Sequence, residues 1–124
     1  MSDLDIQKTL FMQGIDSFNN QRYYDAHEFW EELWNEYPLK DALFIQGLIQ
    51  ASVAYFHITN FNLKGSKNLF NKSIPKLKKF PTNHRNFNLK LFIAGLEKSI
   101  QQVAVIEKTK DFNWNLAPKI TFIK

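Results

Sequence analysis

The stretch Tyr23 to Trp34 reads YYDAHEFWEELW and sets His27 beside Glu28, with Glu31 one helical turn beyond. An imidazole and a carboxylate at i, i+4 stack on one helix face. Such a pair can move a proton, contribute to a metal site with a third donor, or simply bond. A second polar set follows at Gln46, Gln50 and His57, spaced to share one face of a segment that is otherwise apolar. Amides and imidazoles buried in such a segment need hydrogen-bond partners, and the nearest source is the His27/Glu31 edge of the preceding helix. The spacing therefore predicts a polar cluster of His27, Glu31, Gln50 and His57, with Gln46 near it and Glu28 pointing further out.

Three chemistries fit these residue types. The cluster can be a structural network that fixes helix register. It can be a metal site built from His27, Glu31 and His57. It can also be an acid/base pair in which Glu31 tunes an imidazole. Several absences weigh against metal. A zinc-protease helix needs a second histidine where Glu31 stands. Di-iron bundles need Glu-x-x-His pairs and four carboxylates, whereas Asp41 is the last acid before Thr59. The chain has no glycine-rich phosphate loop, and no Ser-His-Asp arrangement is indicated. No metal or cofactor is expected.

The elements that must position these residues are helical. Leu4, Phe11, Ile15 and Phe18 fall at helical spacing after a capping Ser2 or Asp3. At 100° per residue, Ala26, Phe29, Trp30, Leu33, Tyr37, Tyr23 and Trp34 fill one arc of about 140° on the second helix, with His27 and Glu31 at its border. Pro38 stops that helix. Helices are predicted over 3–19, 23–37, 41–59, 63–80 and 88–107, with an extended tail over 108–124 that carries Trp114. Pro75 should kink the fourth helix or end it early. The third, apolar on nearly every side, should be the central one. The expectation is an all-α, single-domain, five-helix bundle with Trp30, Trp34, Phe44, Leu48, Leu69, Phe92 and Leu96 in its core.

Composition narrows the function classes. Apolar residues make up 44% of the 124, enough for a core. Without cysteine there is no disulfide, thiolate ligand or thiol nucleophile. The N-terminus lacks the basic-then-apolar order of a signal peptide. The apolar run Ala42 to Ile58 reads as too short and too polar for a membrane span. A cytoplasmic protein with no membrane partner is expected. Met1 to Glu36 holds eight acids against Lys8 and Arg22, whereas Asn60 to Leu96 holds eight basic residues and no acid. The two stretches carry −6 and +8, so the chain is strongly dipolar.

Phe18-Asn19, then Tyr24-Asp25-Ala26-His27-Glu28 with Glu31 and Trp34, resembles the F-N … A-H-E-x-x-E-x-x-W signature of the domain of unknown function 309 family of small bacterial and archaeal helical proteins. Phe44-Ile45-Gln46-Gly47-Leu48-Ile49-Gln50, followed by His57, Asn62 and Gly65, is similar to its second block, F-x-Q-G-L-I-Q with a downstream H and N-x-x-G. The likeness runs from about Ile15 to Phe80. It implies an all-helical domain and the same site residues, flanked by Asn19, Tyr24, Trp34 and Asn62, and implies no reaction. The resulting expectation is a non-catalytic domain that binds a partner protein or small ligand beside the His/Glu/Gln cluster. The first alternative is a metal-dependent or acid/base enzyme using the same residues. The second is a nucleic-acid-binding module using the lysine-rich fourth helix, whose lysines otherwise form a solvated face.

Overall fold

A computed structural model describes residues 1–123 and shows an all-α fold. Lys124, the last residue of the expected tail, lies outside the described residues. Five helices follow in order: α1 Asp3–Asn19, α2 Tyr23–Glu36, α3 Ala42–Thr59, α4 Leu63–Leu77 and α5 Leu89–Val103. α1 lies against α2, α3 against both α2 and α4, and α5 against α4. The chain is thus two helical hairpins, α1–α2 and α3–α4, joined side by side and closed by α5.

Local chemistry explains most boundaries. Ser2 Oγ accepts from the Asp5 amide at 3.2 Å and starts α1, with Asp3 and Asp5 in the first turn favouring its positive end. Asn62 and Asn88 cap α4 and α5 through the amides of Gly65 and Leu91. Both hairpin turns use one device. The Arg22 and Asn62 amides reach back to the carbonyls of Ser17 and His57, while Gln21 and Phe61 adopt left-handed φ of 60° and 59°. Pro75 has no N–H to donate, and α4 ends two residues later at Leu77 rather than at 80. α5 stops at Val103, not 107, because the chain turns there to send Phe112 and Ile120 into the core.

The tail is less extended than expected. Two short 3-10 turns, Thr109–Asp111 and Trp114–Leu116, precede an extended end, where Phe87 and Phe122 form an isolated bridge. Asn19 fixes this end: its side chain donates to the Ile120 carbonyl at 3.0 Å and accepts from the Ile120 amide at 2.7 Å.

Trp30, Phe44, Leu48, Phe92 and Leu96 are buried in the core. The Trp30 indole donates to the Phe11 carbonyl at 3.2 Å, and a Cβ at Gly14 would stand 2.1 Å from its nitrogen, so only glycine lets α1 approach α2 this closely. Two core expectations need correction. Leu69 is only partly buried, and Trp34 is 40% exposed. The burying half of α2 centres between Leu33 and Trp30, which leaves Trp34 on the margin that His27 and Glu31 share. By length and a mean hydropathy of 1.3, α3 is apolar enough to cross a membrane, contrary to the sequence expectation; half of it is buried inside the bundle.

Candidate functional site

α3 is flanked on opposite sides. Phe56 meets Tyr24 of α2, with ring centroids 5.3 Å apart. About 180° around the helix, the Gly47 carbonyl accepts from Ser73 of α4 at 2.6 Å. Between these contacts runs a stripe of half-buried residues: Gln46, Gln50, Val53 and His57. The stripe faces the side of α3 that runs from the α2 contact to the α4 contact. Tyr24, His27, Glu31 and Trp34 lie on the facing margin of α2, and Asn62 opens α4.

His27 and Glu31 meet. His27 Nε2 lies 2.8 Å from Glu31 Oε2, and His27 Nδ1 lies 2.9 Å from the Tyr24 carbonyl oxygen. Both ring nitrogens face acceptors, so both bonds form together only when both nitrogens carry protons. The Tyr24 ring packs against His27 at 5.1 Å. Glu28 is exposed, as expected, and its carboxylate beside the Tyr24 hydroxyl raises that phenol above its ordinary value, by charge first and by a hydrogen bond second.

His57 stands apart from that pair. Its Nδ1 lies 3.4 Å from the Asn62 amide nitrogen, while the Asn62 oxygen accepts from the Gly65 amide at 2.8 Å. With the amide donating to Nδ1, the neutral ring carries its proton on Nε2. Tyr24 packs on His27 and on Phe56, the chain neighbour of His57. The expected cluster is two pairs, His27–Glu31 and His57–Asn62. The alternative metal set His27, Glu31 and His57 is not brought together: among the described residues, no three His, Cys, Asp or Glu side chains are placed to hold an ion. The physical reason is placement, since His27 pairs with Glu31 within α2 while His57 turns to Asn62 at the start of α4.

Gln50 has no such bond. Its side-chain oxygen is buried and lacks a hydrogen-bond partner. Ser66 Oγ is buried and unpaired too, on the inner face of α4.

A second polar centre was missed by sequence reasoning. Asp41, at the start of α3, accepts from Arg85 Nε at 2.6 Å and from a second guanidinium nitrogen at 2.9 Å; His84 Nε2 lies 2.8 Å from the same carboxylate. Burial works to raise the Asp41 carboxyl, but the bonds from Arg85 and His84 outweigh it and hold it below the usual value. Arg85 also lies 4.5 Å over the Phe11 ring, and His84 sits against Phe44 and Phe80. Arg85 and Asn86 adopt left-handed φ of 51° and 62°, and the clamp holds them there. Asp at a helix start normally caps the amides. Here that residue makes no side-chain cap bond, and the carboxylate serves a loop more than 40 residues away.

Residues 11–69 match the family model of a domain of unknown function, DUF309. The chain carries a DUF309 domain. The match covers α1 from Phe11, both hairpin turns, the whole half-buried stripe of α3 and Asp41, and leaves out His84, Arg85, α5 and the tail. No curated protein and no solved structure matches the chain.

Proposed function

We propose that this DUF309 domain is a non-catalytic binding module, and that the half-buried stripe of α3 takes a small ligand or partner segment that donates a hydrogen bond to Gln50. The observation that carries this reading is the Gln50 side-chain oxygen, buried without a hydrogen-bond partner on the half-buried stripe of α3. A buried acceptor without a donor is unfavourable by about 1–3 kcal/mol, and a bound N–H or O–H that reaches it as neighbouring side chains give way removes that penalty. The rest of the lining suits a polar, partly aromatic guest. Trp34 and Tyr24 offer exposed ring surface, and His57 offers its Nε2–H.

Binding rather than catalysis is supported by the setting of His27, whose two nitrogens face the Tyr24 carbonyl and Glu31 of its own helix rather than open space. The test is an amide-resolved NMR titration with simple donor fragments: primary amides, ureas and alkylammonium ions. Shifts at Gln50, His57 and Trp34 that vanish in Gln50→Leu are expected. Fragment binding that Gln50→Leu leaves intact would place the ligand elsewhere.

A further inference from the structure

Phe61 is doubly unfavourable where it stands. It occupies the left-handed position that closes α3, where glycine is preferred because a side chain there is strained. It is also 86% exposed, so its ring gains nothing from burial. The matching position of the first hairpin holds Gln21, a polar residue. A strained and exposed aromatic side chain is a feature that folding alone does not favour.

The surroundings show what it can meet. Phe61 stands between two recesses of about 360 and 410 Å³. The first is lined by Thr59, Thr109, Lys110 and Trp114, the second by Leu63, Lys108 and Lys110, with Glu107 as the one acid lining either. Lys64 and Lys67 follow on the exposed face of α4, at the start of the stretch that holds no acid. An aromatic platform, hydroxyl groups and a lysine border together fit a strand that carries flat rings on a phosphate backbone. A lipid surface fits less well, because Phe61 rises between recesses with polar edges and not from a smooth apolar tip.

We propose that the Phe61 turn is a binding surface for single-stranded nucleic acid, with Phe61 stacking on one base and Lys108 and Lys110 facing phosphates. This surface is separate from the Gln50 stripe and does not depend on it.

The test uses the full chain and three labelled probes: a twelve-nucleotide single strand, as DNA and as RNA, its duplex, and phosphatidylglycerol vesicles. The expected result is single-strand binding at low salt that weakens as salt rises, with the duplex weaker. Phe61→Gly should raise the melting temperature by a few degrees, roughly 2–6 °C, while weakening single-strand binding about tenfold. Phe61→Ala, which keeps the strain, should weaken binding equally without that gain. Lys108→Ala with Lys110→Ala should lower the log–log salt slope by about 1.4. Three results would overturn the proposal: no single-strand binding at low salt, binding that both Phe61 variants leave unchanged, or Phe61-dependent binding to vesicles alone.

Discussion

Asp41 and Gln50 lie three turns apart at most along one helix, one at the start of α3 and the other on its half-buried stripe, and their polar atoms are in opposite states. The Asp41 carboxylate takes three bonds, two from Arg85 and one from His84, and the side chain is only 14% exposed. The Gln50 oxygen takes none. A centre whose charge is matched by three bonds offers little to a guest, and every bond in it fixes the fold. A buried acceptor with no bond is a deficit that a guest can fill. The same helix therefore carries a structural clamp and a candidate binding site, and satisfaction rather than residue type separates them.

Removing the clamp should have the largest effect. Asp41→Asn keeps the shape and loses the ion pair, leaving the Arg85 guanidinium uncompensated and two left-handed residues without their restraint. Stability should fall by about 2–4 kcal/mol in urea melts at neutral pH. The acid limb gives a second check. Asp41 has a lower pKa folded than its ordinary 3.8. Its contribution is therefore fully present above that value and is lost as pH falls through the lower, folded one. The gap between wild type and Asp41→Asn should be constant near neutrality and close in strong acid. A variant as stable as wild type at pH 7 would make the clamp an ornament of the surface and end the contrast.

Gln50→Leu tests the other half and should act in the opposite direction. Replacing an unpaired buried amide by an apolar side chain of similar size should raise stability by about 1–2 kcal/mol, read as a higher denaturant midpoint with an unchanged slope. A loss of stability would show that the amide is bonded in solution. Gln50 would then be bonded within the fold as Asp41 is, and the binding reading would fall with it.

How much of this was legible in the sequence follows from the range of each interaction. Helix faces are local, so α2 and the His27–Glu31 pair could be placed from spacing alone. The stripe of Gln46, Gln50 and His57 was legible for the same reason. Their division into two pairs was not, because it depends on how His57 meets Asn62 across the turn between α3 and α4. The Asp41 clamp joins residues 43 and 44 positions apart, and Asn19 reaches Ile120 across 101. No periodicity links such positions. The signals available were weak ones: an Asp before an apolar helix that reads as a cap, and a His-Arg pair in a Pro/Asn loop. Phe61 gave a clearer hint, since the turn it closes has no glycine at the position that favours one.

The smallest effect belongs to His27 and Glu31, and it sharpens the comparison by measuring a third state, paired but wet. Their 2.8 Å contact is as short as the His84–Asp41 contact, yet the Glu31 side chain is 48% exposed. Water competes for both partners and salt screens them, so distance alone does not set the strength. A double-mutant cycle of His27→Gln and Glu31→Gln should give a coupling of about 0.3–0.5 kcal/mol, reduced by added salt. A coupling above about 1.5 kcal/mol that salt leaves unchanged would mean the pair is closed off from water. The α2 margin would then belong to the core, and a guest would have to open the bundle to reach Gln50.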